Sequence, residues 1–378
     1  MSALCRDSIA VPATLVRGGT SKCWLFDLAD LSGISGRQAG VDEVLAAAFG
    51  ARDSDQIDGV GGATSTTSKA AIIGPATAPG IHVDYTFGQV GIGDERVEWG
   101  SNCGNCATAV GLHAVRSGLV PATAGRTRVR MRNTNTGGRI DAVVATPDGR
   151  VPAHGDTLVP GVTSPGVRVE LEFLDPVGGT TGTLLPSGNP VDELARGEAT
   201  LVDAGAPAAL LDAATVGLTG VESVAEFTTL LPGLLPLRRA AAIRMRLAGP
   251  GDPVEAAVPK LGIVGPPRDY RTSGGVLVRA AEYDLAVRMV SMHTPHPAIG
   301  LTSMVAVLAA ATQPGSVVRR HLGAAGGPVR LGTPAGVVTG TPVLDGDGRL
   351  VAVNLVRSAR VIAAATIFVP RGAGVGAA

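Results

Sequence analysis

A chain that carries one long internal repeat is bound to fold as two similar halves, and this chain repeats once. Ala13-Thr14-Leu15-Val16, followed by Gly19, returns as Ala199-Thr200-Leu201-Val202, followed by Gly205, at an offset of 186. Lys69-Ala-Ala-Ile-Ile-Gly-Pro75 returns as Lys260-Leu-Gly-Ile-Val-Gly-Pro266, at an offset of 191. Carrying that second offset forward sets Cys103-Gly-Asn-Cys-Ala-Thr on Thr294-Pro-His-Pro-Ala-Ile, and each stretch then enters an Ala/Val/Leu-rich segment. Three matches in one order favour a duplicated domain over chance similarity. The length of 378 residues agrees, because single cores stop growing beyond roughly 250–300 residues. The turn-rich stretch Leu185-Pro-Ser-Gly-Asn-Pro190 places the boundary, giving domains 1-186 and 187-356. A C-terminal strand segment, 357-378, is expected to pack back on the first domain.

Between the repeated landmarks most segments are short and β-like: His82–Phe87, Thr127–Arg132, Arg139–Ala145, Arg168–Phe173, Ala242–Leu247, Gly275–Ala280 and Leu285–Ser291. Three stretches are predicted helical. Val41–Phe49 lies behind Ser35 and Gly36, Asn105–Ser117 ends at Gly118, and Pro297–Thr312 stops at Pro314-Gly315. The last two are apolar nearly all round, so each should be buried on every side. The expected architecture is α+β, two pseudo-symmetric halves, each a curled sheet around a central apolar helix. A cleft between the halves would receive both helix N-termini.

Composition excludes several partners. Lysine plus arginine equals aspartate plus glutamate, 32 each, and there are only two Trp, three Tyr and six Phe, so neither charge nor stacking suits a nucleic acid. The 53 Gly and 26 Pro fall short of the roughly 25–30% that marks low complexity. The N-terminus lacks the pattern of a signal peptide, and no apolar run reaches the ~18 residues of a membrane helix. Leu350 to Val369, the longest candidate, is interrupted by Asn354, Arg357 and Arg360 and reads as strand. Four Cys in this length are no disulfide framework. The expectation is a cytoplasmic protein without a membrane partner. The oligomeric state stays open, a homodimer included.

The chemistry should sit where the buried helices begin. A helix N-terminus offers unpaired N–H groups and partial positive charge to a carboxylate or phosphate. Cys103-Gly104-Asn105 opens the first of these helices; the glycine admits a ligand to the backbone, and a cysteine there should have its thiolate favoured. Cys103 can therefore act as acid, base or nucleophile, against the plain alternative of a small core residue. C-G-N-C also fits C-x-x-C, but zinc would need a second pair and thioredoxin chemistry a βαβ context. Asp58-Gly-Val-Gly-Gly-Ala-Thr-Ser-Thr-Thr-Ser-Lys69 joins a glycine turn to five hydroxyls and an amine, an anion loop without the spacing of a nucleotide loop.

Three lysines stand against 29 arginines, and all three lie in these motifs: Lys22 in Arg17-Gly-Gly-Thr-Ser-Lys22, and Lys69 and Lys260 at matching repeat positions. An amine can lose its proton at accessible pH and a guanidinium cannot, so the retained lysines mark sites where arginine fails. Ser291-Met-His-Thr-Pro-His296 precedes the second helix and offers further contacts. His293 and His296 have no third ligand nearby, so no metal is expected.

Taken together, Arg17–Lys22, Asp58–Lys69, Ser101-Asn-Cys-Gly-Asn105 and Ser291…His296-Pro-Ala298 resemble the PrpF family, which includes 2-methylaconitate cis-trans isomerases, 4-oxalomesaconate tautomerases and methylitaconate isomerases. The similarity covers about residues 11 to 302, with Arg357–Pro370 alike in style. It implies a diaminopimelate-epimerase-like fold, two pseudo-symmetric domains each a β-barrel around a central helix. It also implies a catalytic lysine and cysteine, here Lys69 and Cys103, and no cofactor. The family's R-G-G-T-S-K-G ends here in Cys23. The expected activity is a 1,3-proton shift in an unsaturated di- or tricarboxylate. Thr20, Ser21, Lys22, Thr66, Gly104, Asn105, Lys260, Ser291 and His296 are the candidate substrate contacts. Two alternatives remain at this stage: an epimerase on the same fold, which should carry a cysteine in each half, and a non-catalytic carboxylate-binding accessory protein.

Overall fold

The computed structural model describes residues 8–32, 38–100, 102–252, 258–323 and 327–370; Cys5, Ser35, Gly36, Ser101 and the end of the 357-378 segment lie outside them. The chain divides into two compact units, one of Met1–Leu158, Ser164–Glu170 and Arg357–Ala378, the other of Val159–Thr163 and Leu171–Val356.

Unit 1 begins with a hairpin, β1 (Ser8–Gly18) and β2 (Ser21–Asp27), followed by the short α1 (Leu28–Ser32) and α2 (Gln38–Phe49). Next come β3 (Lys69–Pro75), β4 (Val83–Val90), β5 (Val97–Glu98), α3 (Gly104–Arg116), β6 (Gly125–Asn133), β7 (Arg139–Thr146) and β8 (Val167–Leu174). β1 pairs antiparallel with β2, β2 parallel with β3, β3 antiparallel with β4, β4 parallel with β6, and β6 antiparallel with β7. The other edge of β1 takes the last strand of the chain, Ser8 facing Pro370 and Gly18 facing Ala359. The alternation of β6, with Thr127, Val129 and Met131 turned inward, is what a sheet with one covered face requires. What covers it is α3, buried from Gly104 to Val115, as a helix without a polar side must be. A second cluster, with Trp24, Phe26, Leu45 and Phe49, seats α2 on the opposite face.

Unit 2 repeats this order. β9 (Asp192–Glu193) joins β10 (Glu198–Ala204), whose hairpin partner is β11 (Ala206–Asp212), followed by α4 (Val224–Arg244) and β12 (Lys260–Gly265). A small pair, β13 (Tyr270–Arg271) and β14 (Leu277–Val278), leads to β15 (Leu285–Ser291) and β16 (Thr294–Pro295). Then come α5 (Leu301–Ala311), α6 (Val317–His321), β17 (Val329–Thr333), β18 (Gly336–Leu344) and the start of β19 (Leu350–Pro370), which from Arg357 on belongs to unit 1. β11 is parallel to β12, β12 antiparallel to β15, β15 parallel to β17 and β17 antiparallel to β18, strand for strand the sequence of pairings in unit 1. The central helix is α5, all of whose residues are buried. The duplication read in the sequence is thus a duplication of topology, and the fold is α+β with two pseudo-symmetric halves.

Three expected elements change. The 21-residue α4, not expected from the sequence, is a helix through Pro232 and Pro236, a residue type that ordinarily interrupts a helix. A Ser223/Glu226 capping box opens it, and Phe227, Leu231, Leu234, Leu237 and Ala241 form a buried stripe that outweighs the two missing hydrogen bonds. Ala242–Leu247 is accordingly the end of this helix and its exit, not a strand. Gly275–Ala280 contracts to β14. The helix expected from Pro297 starts at Leu301, after Gly300. Among the described residues no helix is long and apolar enough to cross a membrane.

Candidate active site

The β1–β2 turn and the first turn of α3 are in direct contact. A Cβ on Gly18 would lie 2.0 Å from the Asn105 carbonyl oxygen, so only glycine allows this approach. Gly19 has φ +51, and a Cβ there would lie 2.2 Å from Asn105 Oδ1. Asn105 Nδ2 donates to Thr20 Oγ1 and Ser21 Oγ, both at 3.1 Å. Thr20, Ser21, Gly104 and Asn105 are therefore one cluster. Arg17 Nη1 ties the turn to β19, donating to the Gly19 carbonyl and to both oxygens of Ser358, each at 3.1 Å. Arg357, buried on β19, runs its Cδ to within 3.7 Å of a Gly19 Cβ position, and burial lowers its guanidinium to about 10.

Lys69 is the first residue of β3, and the antiparallel register sets Gln89 of β4 directly opposite it. Its side chain is buried; Nζ donates to Gln89 Oε1 at 2.6 Å and stands 4.9 Å over the Phe87 ring. Gln89 is held in turn, its Nε2 donating to the Ser68 carbonyl at 2.9 Å. The hydroxyl loop joins the β1–β2 turn through its backbone, Lys22 N–H donating to the Thr66 carbonyl at 2.9 Å. The Lys22 side chain itself is exposed. The loop hydroxyls largely satisfy one another: Thr64 Oγ1 lies 3.1 Å from Thr66 Oγ1 and 2.7 Å from Thr67 Oγ1, and Ser68 Oγ donates to Gln56 Oε1 at 2.5 Å.

Cys103 is the N-cap of α3, extended at φ −126 and ψ 103, and its side chain makes no capping bond. Its thiol hydrogen-bonds with Cys106, one turn along, and Cys106 with Cys23 of β2; all three are free thiols. The thiolate expected from the helix terminus is not what the surroundings favour. The bond with Cys106 and burial push the Cys103 thiol well up, against weaker pulls from the Lys69 charge and the Cys106 N–H. Burial likewise pushes Cys106 up. Cys103 is held as a neutral thiol, a proton donor. Tyr85, buried and donating to Asn102 Oδ1 at 3.0 Å, is kept a neutral phenol by the same burial.

In unit 2, Lys260 opens β12 as Lys69 opens β3. The β12–β15 register, with Gly262 opposite Met289, sets Ser291 opposite Lys260 when continued by two residues, the place Gln89 holds opposite Lys69. His296 is half-buried, its Nδ1 accepting from the Ala298 N–H at 3.0 Å, which leaves Nε2 as the donor of the neutral ring. The position equivalent to Cys103 is the α5 N-cap Gly300, not Thr294, which belongs to β16. The span from the leading lysine to the helix cap is six residues longer in unit 2, where the β12–β15 connection carries β13 and β14, and a constant offset carries no such insertion.

Sequence reasoning passed over Gln89, Phe87, Cys106 and Arg357. Gln89 was within reach of it: a β3–β4 hairpin of ordinary register places it beside Lys69.

The profile of a family described as PrpF protein matches residues 8–370. A 2-methyl-aconitate isomerase of Shewanella oneidensis is 37% identical, over 96% of this chain and 98% of its own. The crystal structure of a methylitaconate-delta-isomerase superposes with TM-score 0.83 at 33% identity, covering 98% of both chains. A probable proline racemase from Agrobacterium radiobacter K84 shares the fold alone, with TM-score 0.54 at 12% identity over 94% of this chain and 92% of its own. That architecture is the diaminopimelate-epimerase-like one, and by sequence and structure together the chain belongs to the PrpF family.

Proposed function

We propose that this PrpF-family isomerase moves a proton between two carbons of an unsaturated di- or tricarboxylate, of the kind represented by 2-methylaconitate or 4-oxalomesaconate, with Lys69 and Cys103 as its proton carriers. The observation that carries the reading is the pairing of a buried lysine with a neutral thiol at the start of a buried helix, each within the other's electrostatic reach.

The carbon acid is weak, so the reaction needs charge stabilisation before it needs a strong base. Removing the proton turns the C–H pair into a new C=C bond and moves the old double bond toward a carboxylate or carbonyl, where the charge collects. The free N–H groups of the first turn of α3, at Gly104 and Asn105, and the hydroxyls of Thr20 and Ser21 offer donors for that charge. Lys69 is the group that accepts the proton in this reading, and the Cys103 thiol supplies one to the far carbon. The resulting ammonium then returns a proton to the thiolate, which resets both groups. Thr66, Lys22, Lys260, Ser291 and His296 are assigned to substrate binding in the same reading.

The test is to incubate the protein in deuterated water with a panel of unsaturated polycarboxylates and follow exchange and isomerisation by proton NMR. Exchange into at least one acid, lost in a folded Lys69→Met variant, is the expected result. A Lys69→Met protein that isomerises at the wild-type rate would overturn the assignment, and exchange in no acid would turn the reading to an accessory binding role.

A further inference from the structure

Outside this cluster, unit 1 contains a cavity of about 320 Å³ at the far end of α3, lined by Leu112, Arg116, His154, Ser164, Gly166 and Arg360 among others. Its volume is in the range of small-ligand pockets. The lining holds two arginines and a histidine and, among the described residues, no carboxylate.

The charges behind this wall are arranged at a cost. Arg17 of β1 and Arg360 of β19 are direct cross-strand partners, and like charges in that position repel. The guanidinium of Arg17 is lowered by burial and then by Arg360. Arg17 reaches the cavity from behind: its Nη2 donates to the Ser164 carbonyl at 3.4 Å and lies 2.4 Å from where a Gly166 Cβ would be, and both residues line the cavity. No ion pair offsets Arg360 or Arg116 among the described residues. Arg116 has a local reason for its charge, since a cation at a helix C-terminus is favoured. Arg360 has none in the fold, and a bound anion would supply it.

We propose that this cavity is a binding site for a small multivalent oxyanion, a polycarboxylate or a phosphate, held between Arg360, Arg116 and His154 over the apolar floor of Leu112 and Val151. Bidentate guanidinium contacts suit either oxyanion, and a volume of about 320 Å³ favours a molecule of a few carbons over a polymer. Arg17 links the site to the turn that bears Thr20 and Ser21, because the guanidinium at the cavity wall also holds the Gly19 carbonyl.

Calorimetric titration with citrate and with inorganic phosphate at low ionic strength tests this without any reaction taking place, and so independently of the isomerase reading. At least one of the two anions should bind wild type, about tenfold or more weaker in Arg360→Ala and in Arg116→Ala, with partial recovery in Arg360→Lys. The same event should persist in Lys69→Met, which separates it from binding beside the catalytic pair. No heat with either anion, or equal affinity in wild type and both alanine variants, would overturn the proposal. Arg116 and Arg360 are exposed, so the variants are expected to fold; melting temperatures without ligand no lower than that of wild type would establish it.

Discussion

The entries to the two central helices share one scaffold and differ in what is placed on it. In unit 1 the hairpin turn is Gly18-Gly19-Thr20-Ser21, pressed against Asn105, with Cys103 at the cap and Lys69 locked to Gln89. In unit 2 Ala204 stands where the repeat has Gly18, the hairpin continues with Ala206 and Pro207, and the α5 cap is Gly300. Gly205 keeps the left-handed conformation of Gly19, at φ +70, yet a Cβ there would meet Val305 at 3.0 Å and the Thr302 carbonyl oxygen at 3.4 Å, looser than the 2.2 Å at Gly19. Duplication preserved the turn, the strand order and the leading lysine, while the hydroxyls and the thiol lie in unit 1. A two-thiol epimerase would need a cysteine at the α5 cap, and glycine occupies it.

That asymmetry can be tested most severely at the two lysines. Lys69→Met should lower kcat by at least about 10³-fold in a folded protein, the scale expected when a proton carrier is lost, measured as initial isomerisation rates. Next in size, Gly18→Ala forces a methyl into the Asn105 carbonyl and should cost about 1–3 kcal/mol in urea unfolding, whereas the alanine already present at position 204 shows that unit 2 pays no such cost. Lys260→Met should act on binding, raising KM about tenfold with a smaller change in kcat; a loss equal to that of Lys69→Met would make the two halves catalytic equals.

The smallest effect concerns the thiols. Because the Cys103 thiol is raised, its proton is present well above the pH at which an ordinary thiol loses it, so the basic limb of the rate profile should lie above the usual thiol range. Cys106 is the leading cause of that rise, and Cys106→Ala should move the limb to lower pH and speed alkylation of Cys103 at neutral pH. An unmoved limb would mean that Cys103 is not the acid.

What could be read beforehand followed from short-range rules. α3 and α5, apolar nearly all round, had to be buried, and the matched lysines fell at the starts of matched strands. α4 was missed because its two prolines are local signals, while the stripe that overrides them is satisfied only by tertiary packing. The thiol's protonation was misjudged for a similar reason: the helix end is visible in sequence, but the contact with Cys106 and the burial that oppose it are not. Arg357 entered the site region through a strand pairing more than three hundred residues long in sequence, β1 with β19, which no local pattern encodes.

That same pairing sets an order of events in the cell. Gly19 N–H is held by the Ser358 carbonyl at 2.9 Å, and Arg17 by both Ser358 oxygens, so the turn bearing Thr20 and Ser21 is anchored by a residue 341 positions after Arg17 in the chain. While the chain is still emerging, β1 has β2 but lacks β19, and its open edge must wait through the synthesis of all of unit 2. The turn that holds Asn105, and with it the first turn of α3, is therefore completed only when the closing strand takes its place.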